Sequence, residues 1–226
     1  MTGATPSTTR APRRSQAERR ATSRARILGA TAECLLERGY QATTISEVQT
    51  RTGLARGTIQ HHFPTRAELL VAAISHLVDA RIEQFRNDAA RIDPRAERIQ
   101  TVVDLVWRDL TSPIFFAGVE LWVAARTDPD LRAALIPEEK RLFAEMREVY
   151  AATLGEPYVS DARVETLIEF TVDLLTGLSM ATMLSANDGT REAVVRRWKR
   201  AMTVLLGLLP AEELLGGRPL PDTAPD

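Results

Sequence analysis

The sequence has few of the residues that build covalent cross-links, metal cages and catalytic relays. Its single cysteine, Cys34, excludes an intrachain disulfide and any four-cysteine zinc site. It has three histidines, His61, His62 and His76. Adjacent helical residues point about 100° apart, so His61 and His62 do not converge on a metal, and His76 has no acidic or cysteine partner set. Phosphate loops, nucleophile motifs and His-Glu-x-x-His are missing, which argues against an enzyme. No apolar run approaches the ~18–20 residues of a membrane helix, Met202–Leu209 being about half that. The arginine-rich start lacks the apolar core of a secretory signal. Strand-type alternation and internal repeats are also absent. The expectation is a cytoplasmic all-α protein without membrane segment, metal or cofactor. Its 226 residues suffice for one domain or two small ones.

Charge is present but unevenly placed. The net charge is −1, yet residues 1–66 hold eleven arginines against four glutamates, while the remaining 160 residues hold 18 bases and 26 acids. A basic head on an acidic body fits a polyanion-binding segment, although a solvated basic tail gives the same count.

Residues 1–15, rich in Thr, Pro, Ser and Arg, read as a disordered arm. Helical patterning starts near Gln16, with Ile27, Leu28, Thr31, Leu35 and Leu36 on one stripe and Gly39 as a stop. Thr44–Glu47 and Thr65–Glu68 have capping-box spacing. They predict helices over about 45–52 and from 66 to about 87, with a short helix over about 56–62 between Gly53 and Pro64. Further helices are expected over 94–110, 113–126, 129–154, 160–185 and 190–209. Pro113 and Pro129 sit at first helical turns, after Ser112 and Asp128. Pro137 should kink or split the 129–154 helix. Residues 210–226, with four prolines and Gly216–Gly217, read as a loose tail after a short turn at 211–215. About nine helices result.

Residues 44–63, TISEVQTRTGLARGTIQHHF, read as helix, glycine turn, helix, the shape of a helix-turn-helix. Ile45, Val48, Leu54 and Ile59 can form a small core that fixes the interhelical angle. Arg56, Thr58, Gln60 and His61 are then left to project outward. Arg and Thr satisfy phosphate oxygens, and Gln can pair two ways with an adenine edge. An ordinary helical hairpin with a polar face has the same pattern.

The wider stretch around these helices resembles the DNA-binding head of the TetR family of transcriptional regulators. The resemblance rests on Gly39–Tyr40, Thr43–Thr44, Gly53–Leu54, Gly57–Thr58–Ile59, His62–Phe63 and Pro64–Thr65–Arg66, in order and spacing. It covers about residues 24–72, with a weaker echo over 120–135. It implies a three-helix reading head (16–66), a ligand-binding and dimerisation body (67–209) and a homodimer on a palindromic double-stranded DNA operator. In that arrangement Thr43 or Thr44, Thr58, His62 and Arg66 anchor phosphates. Arg56, Gln60 and His61 meet base edges, and Gly57 permits close approach. The arginines over residues 10–26 add phosphate contacts, enter a minor groove, or stay solvated. Three positions depart from the family pattern. Gln49 replaces a small residue. Ala55 replaces a capping Ser or Thr, costing about 1 kcal/mol locally. Gln60 replaces a Tyr.

In the body, large side chains at helical spacing read first as core. The resemblance adds a pocket for a small apolar or aromatic effector, with Asp104, Trp107, Phe116, Glu120, Met146, Tyr150, Phe170, Asp173 and Met180 as candidate lining. The 113–126 helix is apolar nearly all round and should be buried. Glu120 within it should pair with Arg126 or Arg132, or orient a ligand. Asp104 and Asp173 pose the same choice. The helices 160–185 and 190–209 have apolar residues on more than one face, and the resemblance makes them the dimer interface. The helix from Arg66 to about Asn87 is the natural lever between head and body. A DNA-binding dimer without an effector, controlled by a partner protein or acting as an activator, is the alternative.

Overall fold

The computed structural model describes residues 15–92, 97–156, 158–183, 189–210 and 214. The expectations for the arm up to residue 14, a helix start at Pro94, helical residues 184–185 and most of the tail lie outside them. Among the described residues there are nine α-helices and no strand: α1 (Gln16–Ala42), α2 (Ile45–Thr52), α3 (Arg56–His62), α4 (Arg66–Ala89), α5 (Arg98–Leu110), α6 (Pro113–Ala125), α7 (Pro129–Leu154), α8 (Ala162–Met180) and α9 (Thr190–Leu205). A 3₁₀ turn, Ala181–Met183, follows α8.

Local chemistry sets most helix starts. The Thr44, Thr65, Ser112 and Asp128 side chains accept from Glu47, Glu68, Phe115 and Leu131 backbone N–H groups. Each satisfies a donor that the first turn leaves free. Ser15 and Glu18 form a complete capping box, which sets the start of α1 at Gln16. Gly39 interrupts α1 at φ 75°, as a stop there required, and one further turn carries Tyr40. Gly53, at φ 63°, closes α2 in the left-handed region.

Two elements differ from expectation. Helix α7 is not split at Pro137. Pro137 and Ala133 are both exposed, so the carbonyl that loses its helical donor faces water. Helix α6 is only partly buried: Ala117, Val119, Leu121 and Ala125 are inside, whereas Val123 is 55% exposed.

Two apolar clusters fill the interior. One joins α1–α4 to α6 and the start of α7, through Ile27, Leu35, Ile59, Leu70, Leu121 and Leu131. The other joins α4, α5, α7, α8 and α9 around Phe85, Val106, Tyr150, Leu175 and Met202. A buried polar triad crosses the second. Asp109 on α5 receives the Tyr150 hydroxyl of α7 at 2.9 Å and pairs with Arg81 of α4. Burial, then the neighbouring Asp109 carboxylate, pushes the Tyr150 hydroxyl well above its ordinary pKa, so it acts as a donor. On the other side, the Trp198 indole of α9 donates to Thr171 of α8 at 2.9 Å.

Asp109→Ala removes the partner of both a half-buried guanidinium and a buried phenol. Unfolding in denaturant should show a loss of about 3–5 kcal/mol. Tyr150→Phe, which removes one hydroxyl, should cost only about 1 kcal/mol. Near-equal losses would contradict an ion pair at the centre of the triad.

Candidate functional site

Helices α2 and α3 meet through Val48 and Ile59, both fully buried, with Ile45 and Leu54 packed alongside. Their angle to α1 is set by charge as well. Arg51 donates to Glu47 at 2.9 Å and to Glu37 of α1 at 2.8 Å, and Arg38 of α1 reaches Glu47 at 3.0 Å. These contacts, the Arg51 hydrogen bond first, hold the Glu47 carboxyl below its usual range.

On the outer side of α3, Arg56, Gly57, Gln60 and His61 are exposed, Thr58 and His62 are half-buried, and Thr44 is exposed at the α2 start. Gln49 also turns outward. Ala55 precedes α3 without a side-chain cap, so free N–H groups at that helix start face solvent beside Arg56. A methyl group placed on Gly57 would meet nothing of this chain within 4 Å. The His62 pKa is lowered, mainly by burial and then by Arg20, His61 and Arg24. Arg20 and Arg24 on the first half of α1 therefore share a face with α3, and Arg24 lies 5.2 Å from the Phe63 ring centre. Arg19, Arg20, Arg24, Arg26 and Arg56 have no ion-pair partner among the described residues. This face is a concentration of cations around an exposed polar helix.

Thr43 and Arg66 do not belong to it. Thr43 is 1% exposed and its hydroxyl donates to the Gly39 carbonyl at 2.8 Å. Arg66 donates to the Thr43 carbonyl at 2.8 Å and to the Tyr40 carbonyl, with its guanidinium 4.3 Å from the Tyr40 ring centre. Both brace the end of α1 against the start of α4, so their polar groups are occupied inside the head. In this structure neither offers a free donor to the exposed face of α3, where Thr44 remains.

The same corner receives the body. The Tyr40 backbone N–H donates to Glu120 Oε2 of α6 at 2.6 Å, and the Tyr40 hydroxyl donates to Asp128, the cap of α7, at 3.2 Å. Asp128 is held below its usual carboxyl range chiefly by the Leu131 N–H, with Tyr40 adding to it. The φ of 75° there favours glycine, and a Cβ on Gly39 would stand 2.7 Å from Glu120 Oε2, so any side chain would displace that carboxylate. Glu120 thus pairs with neither Arg126 nor Arg132 and faces the head.

Between α4, α6 and α7 the body holds a half-open apolar chamber of about 80 Å³. Ile74 and Val78 of α4, Phe115, Gly118 and Trp122 of α6, and Leu135, Phe143 and Met146 of α7 are among its walls. Of the nine candidate lining residues, only Met146 faces it. Tyr150 is core, and Trp107 packs on the same core. Phe116 lines a groove against the end of α1 together with Glu120. Asp104 is an exposed partner of Lys199. Phe170, Asp173 and Met180 lie exposed on α8. The missed positions carried a readable signal on α7, where Leu135, Glu139, Leu142, Phe143 and Met146 fall on one helical stripe. Asp109 was readable too, being in register with Val102 and Val106 on α5.

Comparison with known proteins points one way. Residues 27–73 match the family profile described as "Bacterial regulatory proteins, tetR family". The HTH-type transcriptional regulator CymR of Pseudomonas putida is 28% identical over 171 residues, 76% of this chain and 84% of that protein. A TetR transcription regulator from Haloarcula marismortui superposes with a TM-score of 0.63 at 19% identity, over 80% of this chain and 98% of that one. A putative transcriptional regulator from Saccharomonospora viridis, solved in complex with choline, superposes with a TM-score of 0.58 at 17% identity, over 82% of this chain and 96% of that one. The exposed helix-turn-helix lies inside the segment that matches the tetR-family profile, and the chain is a DNA-binding transcriptional regulator similar to members of that family.

Proposed function

We propose that this regulator is a homodimeric repressor, released from a palindromic operator by a small apolar or aromatic effector. One observation carries the reading. Helix α6 has Phe115, Gly118 and Trp122 in the chamber wall and, from the same helix, Glu120 on the backbone of Tyr40. The chamber is smaller than the ~150 Å³ cavity that accepts benzene. A ring-sized effector seated wholly inside must therefore move a wall, and movement of α6 strains the Glu120–Tyr40 contact. Linkage then requires that effector and operator weaken each other equally. The choline complex of the Saccharomonospora viridis protein supports a body that accepts small molecules. No helix among the described residues is long and apolar enough to cross a membrane, which agrees with a cytoplasmic site of action.

In this reading residues 16–66 are the DNA-reading head and 67–209 the effector and dimer body. Arg56, Gln60 and His61 meet base edges, and Thr44, Thr58 and His62 meet phosphates. Gly57 allows close approach, and Thr43 and Arg66 position the head. Dimerisation uses the outer faces of α8 and the end of α9, where Phe170 is 56% and Leu205 50% exposed and Leu174, Met180 and Leu209 join them. Two-fold symmetry would present two α3 helices to half-sites one DNA turn, or a multiple of it, apart. The small chamber favours a second reading, an effector-free DNA-binding dimer controlled by a partner protein or acting as an activator. An effector that raises the melting temperature supports the first reading; a screen in which none does supports the second.

Site selection from fragmented genomic DNA should return a palindrome. On it, Arg56→Ala and Gln60→Ala should each cost about 1–3 kcal/mol of affinity and relax sequence preference. Unchanged affinity in both would remove α3 from the interface. A pH effect follows from His62. Its neutral form is favoured in the free protein, so that contribution to stability is complete above the unfolded value of 6.5 and is lost as pH falls through the lowered one. Phosphate favours the protonated form, so operator affinity should rise over the same fall in pH. Each unit of pKa gained on DNA is worth about tenfold. His62→Gln should flatten both profiles, read by titration and by melting. Glu120→Ala should keep operator and effector binding but shrink their coupling, which in such systems is typically ~1–3 kcal/mol. Coupling of wild-type size in that variant would place the transmission elsewhere.

A further inference from the structure

We propose that the effector is a lipophilic organic cation, its charged nitrogen held by Glu139 and its apolar part seated against Trp122 and Phe143. The inference rests on the reading of the chamber as the effector site. Glu139 lies on the α7 stripe between Leu135 and Leu142, a register where an apolar residue would pack. It is half-buried and has no ion-pair or hydrogen-bond partner among the described residues. Its neighbour Glu138, by contrast, binds Arg141 and Ser75. A carboxylate kept half-buried and unpaired costs free energy unless something else meets it.

Its place explains what that partner would be. Glu139 is the one ionisable side chain lining the chamber, and it also lines an outer basin that shares Trp122 and Leu135 with it. It therefore stands at the threshold between dry interior and solvent. Three aromatic rings cluster beside the threshold. Trp122 and Phe143 stack at 5.7 Å and 23°, and Phe115 meets Trp122 edge to face at 5.9 Å. Ring faces carry negative potential and attract cations, most strongly from Trp. A carboxylate and an indole at one threshold select a positive charge, and the apolar walls behind them select a hydrophobic substituent. Arg126 and Arg132 oppose this only from the outer basin, where both are exposed and screened by water.

The test is calorimetry on the full-length protein with three probes of similar size: benzyltrimethylammonium, its neutral carbon isostere neopentylbenzene, and phenylacetate. The cation should bind at least tenfold more tightly than the other two. Glu139→Gln should erase that preference while leaving the neutral probe unaffected. Gly118→Leu, whose side chain would enter the chamber where a Cβ meets nothing within 4 Å, should abolish binding of all three. Equal affinities, a preference for phenylacetate, or a cation preference that survives Glu139→Gln would each overturn the charge assignment. In those cases loss of binding in Gly118→Leu leaves the chamber standing as the effector site. Binding indifferent to Gly118→Leu, or no binding of any probe, overturns the chamber reading and this inference together.

Discussion

A carboxylate on a backbone amide holds head to body. The Tyr40 N–H is presented to Glu120 because Gly39 turns the chain at positive φ and leaves room for the oxygen. Charge-assisted hydrogen bonds of this type are short and directional. Arg66 braces the same turn from behind through the Tyr40 and Thr43 carbonyls. One residue of α6, one turn of α1 and the first residue of α4 thus meet at a single corner. Together with the apolar cluster around Ile59 and Leu70, this corner orients α3 relative to the body.

Helix α4 is fixed again at its far end. Arg81 reaches Asp109, and Tyr150 closes the triad from α7. Between the two anchors, α4 presents Ile74 and Val78 to the chamber. A rod held at both ends and touched in the middle responds to pressure by shifting one anchor. The inner anchor is buried among apolar side chains, whereas Glu120 is exposed to water. Water can compensate a carboxylate that loses Tyr40, but it cannot reach Asp109 as easily. In the proposed mechanism the corner at Tyr40 is therefore the end that yields.

The sequence was most readable where short-range chemistry decides. The starts of α2, α4, α6 and α7 followed from Thr44, Thr65, Ser112 and Asp128, whose side chains act within one turn of themselves. The exposed polar face of α3 followed from the apolar spacing of Val48, Leu54 and Ile59. The internal partners of Thr43 and Arg66 were not legible, because a threonine before a helix and an arginine after Pro64 look free in sequence. Only the folded corner shows which carbonyls they reach. The chamber lining was the least legible. Residue type tells that Phe115, Trp122 and Phe143 are interior, but not which interior surfaces fail to close. Glu120 illustrates the same limit. Its burial was inferred from apolar neighbours on α6, whereas its partner lies eighty residues away on the backbone of Tyr40.

The apolar cluster that begins at Ile27 does not stop at the head. It continues through Leu69, Leu70 and Ile74 of α4 into Leu121 of α6 and Leu131 and Leu135 of α7. The head helices therefore share one core with the body. A head cut at the start of α4 would lose the part of that core that Leu69, Leu70 and Ile74 supply. A functional graft would have to carry α4 and the inner faces of α6 and α7 with it, so the unit of inheritance for DNA recognition is larger than the unit that touches DNA.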